Sequence, residues 1–230
     1  PGLSCLPKVA AEYGDVIVMA PEVEQSSLGQ AITSAKPITY KKSPIYFEGL
    51  EAYRVSGTPA DCVALGAHLF ENIDLVLSGI NIGANLGNSA WHSGTLSAAR
   101  QAVLFGIRGI AFSVSVNEQE PDFEALEPFV KSALKEVVHE NERQLLNINF
   151  PRKPEGEIVW TKQSIRHYDG KVIDQKDPMG RQHYWFTVTP IEEVEEGSDR
   201  WAVRHGKTSI TPMILDLTDT KYMEERAKNK

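Results

Sequence analysis

DLVLSGINIGANLGNSAWHSGTLSAA, residues 74–99, is the stretch that decides the fold of this chain. It opens with an apolar run, residues 74–77, which predicts a buried strand, and it closes with small residues that predict a helix. Glycines and asparagines form a long polar loop between the two. Such a loop is either a plain connection or a place where backbone approaches an anionic ligand.

Strand and helix patterns alternate on both sides of this stretch. Apolar runs rich in β-branched residues predict core strands at residues 15–20, 74–78, 109–116 and 145–150. Helices are predicted at residues 58–70, 93–105 and 121–139. Residues 38–56 interrupt the alternation and predict a β-hairpin plus one core strand. The alternation indicates the α/β class, with a three-layer, doubly wound and mostly parallel sheet.

The start of the chain lacks one part of such a sheet. The chain opens at Pro1 in a helix-like segment that runs directly into the strand at 15–20. In the common strand order the opening strand lies between those at 15–20 and 74–78, and an empty position would leave both neighbours unpaired. We therefore expect that about a dozen further residues, which carry this strand and its turn, precede Pro1.

The sequence changes character after Pro151. Residues 1–150 are predicted to form the core, and residues 151–230 a C-terminal extension of β-hairpins with a final strand at 208–211 and a helix near 218–228. Aromatic residues are concentrated in this extension, namely Trp160, Tyr184, Trp185, Phe186 and Trp201. They form either a satellite core or an interface between subunits, where aromatic residues are enriched.

Composition excludes several classes of protein. The 230 residues carry a net charge of −7, which argues against binding to a nucleic-acid duplex. No apolar run approaches the roughly 18 residues that span a bilayer, so we expect no membrane association. Cys5 and Cys62 lie in unrelated contexts, which argues against a disulfide framework or a zinc site and favours the reducing cytoplasm.

Three loops are expected to meet beyond the carboxyl ends of the strands, at residues 21–30, 79–87 and 93–95. Ser93, Gly94 and Thr95 stand at a helix start, where backbone N–H groups and hydroxyls favour phosphate, although Ser93 could also serve only as a helix cap. Gly83 and Asn85, in the glycine-rich loop, are further candidates for phosphate or substrate binding. Neither a Walker A motif nor a G-x-G-x-x-G motif is present, which argues against a nucleoside-triphosphate or dinucleotide site.

Two neutral side chains, Ser26 and Asn81, could complete the shell of a hard cation but could not found one, because Mg²⁺ and Mn²⁺ normally require carboxylates. Glu22 and Glu24 lie near Ser26, where a solvated acidic loop is the simpler explanation. His92 could serve as an acid or base, or be a hydrogen-bonded structural residue.

Five ordered motifs resemble the SurE (survival protein E) family of metal-dependent nucleoside-monophosphate phosphatases. They are PEVEQSSLGQAIT at 21–33, GTPADCV at 57–63, DLVLSGINIGANLG at 74–87, HSGTLSAA at 92–99 and LNINFP at 146–151. The resemblance implies a Rossmann-like core, a C-terminal extension that forms dimers or tetramers, and hydrolysis of 5′- and 3′-nucleotides. Some members also act on short polyphosphate.

The resemblance also implies a ligand set. The family holds one divalent cation, Mg²⁺ or Mn²⁺, per subunit with two aspartates of an Asn-Asp-Asp-Gly turn, a serine and an asparagine. The serine corresponds to Ser26 and the asparagine to Asn81, and Ser93, Gly94 and Thr95 would lie near the bound phosphate. The aspartates would lie upstream of Pro1, and the family often has Ser-Gly where this chain has Ser26-Ser27.

Three functions are therefore considered. The first is a metal-dependent nucleotidase that acts on nucleoside monophosphates. The second is a non-catalytic phosphate- or nucleotide-binding protein, and the third an oligomeric structural protein; both apply if the native chain begins at Pro1.

Overall fold

The computed structural model describes residues 2–45, 47, 49–117, 119–140, 145–166 and 168–228. The helices are α1 (Gly2–Ala10), α2 (Pro59–Leu69), α3 (Gly94–Leu104), α4 (Phe123–Val137), α5 (Asp199–Arg204) and α6 (Thr220–Lys228), and a 3₁₀ helix spans Gly87–Trp91. The strands are β1 (Ile17–Pro21), β2 (Tyr40–Lys42), β3 (Glu51–Val55), β4 (Leu75–Ile82), β5 (Arg108–Val114), β6 (Leu145–Phe150), β7 (Ile158–Trp160), β8 (Tyr168–Lys176), β9 (Gln182–Pro190) and β10 (Thr208–Met213).

Local sequence signals account for the main elements. Thr58 caps α2 in a capping box with Asp61, as the Thr-Pro-Ala-Asp sequence predicts. Helix α4 starts two residues later than the predicted segment 121–139, because Asp122 caps it and accepts hydrogen bonds from the next backbone N–H groups. Within the predicted hairpin region 38–56, β2 and β3 pair in antiparallel fashion, while Tyr46 and Glu48 lie outside the described residues.

Helices cover both faces of the central sheet, as expected for the three-layer α/β class. Leu6 of α1 and Val130 of α4 belong to the same buried cluster as Phe112 of β5. On the opposite face, Ala99 of α3 packs with Ala111, the neighbour of Phe112 in β5. Successive strand residues point to opposite faces, so β5 is buried on both sides.

Two of the three sheets lie on opposite sides of a cavity. One sheet has the order β1-β3-β2, and the other has the order β4-β5-β6-β10-β7. A cavity of about 1320 Å³ lies between β1 and β4, lined by Val18 and Ala20 on one side and Val76 and Ser78 on the other. Among the described residues neither strand has a partner on this side, at the position where the sequence predicts a missing strand.

Part of the 151–230 region belongs to the central sheet. Strand β10 runs antiparallel to β6, with Ser209 opposite Asn149, and parallel to β7. Strands β4, β5 and β6 are parallel to one another, so the sheet is mostly parallel with one reversed strand. The predicted boundary at residue 150 therefore falls between strands of the same sheet.

Strands β8 and β9 form a separate antiparallel hairpin. Tyr184, Trp185 and Phe186 lie on it and are exposed. Trp160 and Trp201 lie elsewhere, in β7 and α5. Within the described part of the chain, no helix combines the length and apolar character needed to cross a membrane.

Candidate functional site

The loop that follows β1 lies against the start of α3. The backbone N–H of Gly29 donates to the carbonyl of His92 at 3.0 Å. Gly94 packs against the same loop, because a Cβ at this position would lie 3.1 Å from the carbonyl oxygen of Gln25. Any larger residue at position 94 would push the two segments apart, so the structure brings together two of the three predicted loops.

The start of α3 has the geometry expected of an anion-binding helix end. Ser93 is the N-cap, and its Oγ accepts a hydrogen bond from the N–H of Leu96 at 3.1 Å. This capping role leaves the hydroxyl hydrogen of Ser93 available to donate. The N–H groups of Gly94 and Thr95 precede the first intrahelical donor and carry the positive end of the helix dipole. Thr95 also lines the cavity between the two sheets.

Asn81 lies on the opposite side of the same cavity, near the end of β4. Its Nδ2 donates to the carbonyl of Gly83 at 2.6 Å, so the side-chain amide is oriented by its own loop. The N–H of Gly83 donates to Val114 at 2.9 Å, which ties this loop to β5. Gly2 of α1 lies directly against the backbone of Ile80, which places the start of α1 beside Asn81.

Ser26 is exposed on the loop after β1, between Gln25 and Ser27. Ser27 has a φ of 56°, in the left-handed region that glycine adopts most readily. This conformation gives a physical reason for a Ser-Gly sequence at these two positions. Glu22, Glu24 and Gln25 line the cavity together with Asn81 and Thr95. Glu22 also lies 3.8 Å from the guanidinium of Arg54.

Asn85 points into the protein rather than into the cavity. Its Nδ2 donates to Ser113 Oγ at 2.7 Å, and its N–H donates to Asn149 Oδ1 at 2.8 Å. The carbonyl of Asn85 accepts a hydrogen bond from Asn147 Nδ2 at 2.9 Å. Asn85 is only 7% exposed, so in this structure it anchors the loop to β5 and β6. Its predicted role in phosphate binding stays a prediction.

Asp61 anchors the loop that carries Ser26. Its carboxylate accepts hydrogen bonds from Thr33 N at 2.9 Å, Thr33 Oγ1 at 2.6 Å and Thr58 N at 2.8 Å. Burial alone would raise the pKa of Asp61, but the hydrogen bonds from Thr33 and Thr58 outweigh it and lower that pKa below its usual value. The loop after β1 is therefore tied to the start of α2 by an ionised side chain.

The family model described as "Survival protein SurE" matches residues 1–170 of the chain. This chain belongs to the SurE family. A relative described as 5′-nucleotidase SurE 1, from Thermus thermophilus, is 42% identical over 231 residues, which cover 97% of this chain and 90% of that protein. The 5′-nucleotidase SurE of Deinococcus radiodurans is 41% identical, over 95% of this chain and 84% of that protein.

A SurE structure shows the same fold. The crystal structure of the SurE protein from Aquifex aeolicus matches with a TM-score of 0.82 and 36% identity, over 98% of this chain and 92% of that one. The Rossmann-like α/β fold inferred from the sequence is thereby confirmed.

The residues that the structure describes do not by themselves form a site for a hard cation. Ser26 and Asn81 offer only neutral oxygens, and Mg²⁺ or Mn²⁺ requires negative ligands as well. The described part of the chain contains no group of three or more histidine, cysteine, aspartate or glutamate side chains that could hold a metal ion. The amides and hydroxyls at the start of α3 are instead groups that can donate to an anion.

Two residues of this SurE site were missed by the sequence analysis. Asn147 and Asn149 are fully buried in β6 and hold the backbone of Asn85. The signal was present in LLNINF, where two asparagines alternate with apolar residues in a strand that is buried throughout. Buried amides need partners, so these two residues had to face a polar segment.

Proposed function

We propose that this protein hydrolyses nucleoside monophosphates to nucleoside and phosphate. The named relatives, 5′-nucleotidases at about 40% identity, support this activity. The observation that carries the proposal is the contact between Gly29 and His92, which places the loop of Ser26 at the start of α3. The site then opens into the cavity that Asn81 and Thr95 line.

In this proposal the start of α3 binds the phosphoryl oxygens. The N–H groups of Gly94 and Thr95, with the hydroxyls of Ser93 and Thr95, donate to the oxygens that do not react. Such donors are already oriented by the helix, so they stabilise the additional charge of the transition state without rearrangement. Gly94 allows the loop after β1 to approach closely and to cover this end of the helix.

The proposed activity uses one Mg²⁺ or Mn²⁺ ion per subunit. When bound, such an ion supplies charge that offsets the negative phosphoryl group. Ser26 and Asn81 would contribute neutral oxygens to the shell of this ion. This placement is supported by the cavity that Asn81 and Thr95 both line.

We further propose that the β8–β9 hairpin binds a second copy of this chain, in a dimer or tetramer. The two strands of the hairpin expose six large apolar side chains, namely Val172, Ile173, Tyr184, Trp185, Phe186 and Val188. An isolated hairpin is only marginally stable in water, and an exposed apolar patch of this kind is typical of an interface. The proposed location is the cytoplasm, since Cys5 and Cys62 are both free and buried.

Phosphate release from AMP and GMP tests the nucleotidase proposal. We expect the protein to release phosphate with Mn²⁺ or Mg²⁺ and to stop in excess chelator. Nucleotide binding without turnover would favour a non-catalytic binding protein instead. Turnover that continues in excess chelator would contradict the proposed use of a metal ion.

A further inference from the structure

Asp199 is a fully buried carboxylate at the first position of α5, far from the loops described above in sequence. Its Oδ1 accepts hydrogen bonds from Ser164 N at 2.9 Å and Arg200 N at 2.7 Å, and a further one from Ser164 Oγ. Its Oδ2 accepts a hydrogen bond from Gly87 N at 2.9 Å. Oδ1 therefore accepts hydrogen bonds from Ser164 and Arg200, whereas Oδ2 accepts one from the glycine-rich loop.

Gly87 is held from both sides. Gln163 Nε2 donates to the carbonyl of Gly87 at 2.8 Å, while the N–H of Gly87 donates to Asp199. Gly87 has a φ of 51° and begins the 3₁₀ helix that leads to Ser93. Fixing this one residue thus sets the direction in which the chain enters α3.

The chemistry of Asp199 indicates a role beyond ordinary packing. No ion pair to Asp199 is present among the described residues, and the nearby Arg200 guanidinium instead donates to the carbonyls of Arg166, Ile191 and Glu193. A buried carboxylate without a cation is costly unless several donors satisfy it. Here neutral N–H and O–H groups do so, and one of them belongs to the loop that enters the phosphate-binding helix.

We propose that Asp199 is a positioning residue for the nucleotidase site. It fixes Gly87 and thereby holds Ser93, Gly94 and Thr95 where they meet the phosphoryl group. This role rests on the proposed function, because it acts through the start of α3. It assigns a task in the reaction to a residue of the 151–230 region, for which the sequence predicts either a satellite core or an interface between subunits.

Replacement of Asp199 by asparagine separates the hydrogen bonds to Ser164 and Arg200 from the hydrogen bond to Gly87. The side chain keeps its shape, and one oxygen can still accept from Ser164 and Arg200. The new amide then faces the N–H of Gly87, so two donors oppose each other and that hydrogen bond is lost. We expect kcat/KM for AMP to fall by about 10- to 100-fold, the range associated with the loss of one charge-assisted hydrogen bond.

Ser198→Ala is the matched control. Ser198 is also fully buried, and it caps the same helix by accepting from Trp201 N at 3.2 Å, but its side chain makes no hydrogen bond to the loop. We expect it to lower the midpoint of urea unfolding while kcat/KM stays within about 2-fold. If Asp199→Asn lowers kcat/KM no more than Ser198→Ala does, the positioning role is wrong.

A second variant and a second readout cover the case in which Asp199→Asn does not fold. Gln163→Ala removes the other hydrogen bond to Gly87 at a half-buried position, and we expect a fall of about 3- to 10-fold in kcat/KM. Amide exchange of residues 87–95 should become faster in both variants and not in Ser198→Ala. Unchanged exchange would overturn the inference even if the wild-type protein hydrolyses no nucleotide, so the two proposals can fail separately.

Discussion

The carboxylate of Asp61 ties the loop that carries Ser26 to helix α2. The structure therefore sets how much the free energy of unfolding should fall when asparagine replaces it. Asp61 is 3% exposed and accepts three hydrogen bonds from Thr33 and Thr58. Asparagine keeps one acceptor oxygen and places an NH₂ group against at least one N–H donor. Hydrogen bonds to a charged group contribute about 1.5–3 kcal/mol, and a buried unpaired donor costs about 1–3 kcal/mol. We expect Asp61→Asn to lower the free energy of unfolding by about 2–4 kcal/mol.

Urea unfolding at pH 7, followed by far-ultraviolet circular dichroism, measures this loss. The control is Asp122→Asn, because Asp122 also caps a helix but is exposed and makes no link to another loop in the described structure. Asparagine caps a helix about as well as aspartate, so the control should change stability by less than about 0.5 kcal/mol. A loss for Asp61→Asn below about 1 kcal/mol would refute the reasoning.

The difference in stability between the wild type and Asp61→Asn should depend on pH. The hydrogen bonds lower the pKa of Asp61 in the folded state, so this carboxylate stabilises the fold fully above its unfolded pKa of about 4. That contribution is lost as the pH falls through the lower folded pKa. The difference between wild type and Asp61→Asn should be constant from pH 8 to about pH 5 and shrink below about pH 4. A difference that widens in acid would contradict the assigned cause.

Four further changes test other parts of the molecule. Asn81→Ala should raise the Mn²⁺ concentration for half-maximal activity by about 10-fold with an unchanged circular dichroism spectrum, and unchanged metal dependence would remove Asn81 from the proposed ligand set. Thr95→Val should raise KM for AMP about 3- to 10-fold, and an equal KM would argue against the hydroxyl as a donor. Phe186→Asp should convert an oligomer to a monomer in sedimentation equilibrium, and an unchanged mass would show that the hairpin is not the interface. Burial raises the pKa of Cys62 to about 12. Iodoacetamide at pH 8 should therefore alkylate this thiol over about 1000-fold more slowly in the folded protein than in urea. Similar rates in the two conditions would show that the thiol is accessible.

The sequence predicts those parts of the fold that depend on neighbouring residues. The Thr58 capping box and the Ser93 cap both follow from short motifs that have a local physical cause. The buried strands β5 and β6 were identified because a continuous apolar run has few other solutions.

Other features depend on partners distant in sequence. Strand β8 was not identified separately because it has no buried face, and so its sequence shows no clear alternation. The six-residue helix α5 is too short to produce a helical pattern. Asn85 lies between Gly83 and Gly87, which both have positive φ values, and its orientation depends on hydrogen bonds to distant residues of β5 and β6. No local signal reports such a turn, because glycine adopts either sign of φ with similar ease.

The contact between Gly87 and Asp199 has a consequence for the order in which the protein is made. These two residues are 112 positions apart, so the loop at the start of α3 leaves the ribosome long before the carboxylate that fixes it. Contacts between distant residues tend to form late, because closing the long loop between them costs entropy before the contact stabilises it. A nascent or truncated chain that ends before α5 would carry every residue of the proposed phosphate-binding turn yet lack the carboxylate that fixes Gly87. Completion of the site is in this way coupled to completion of the polypeptide.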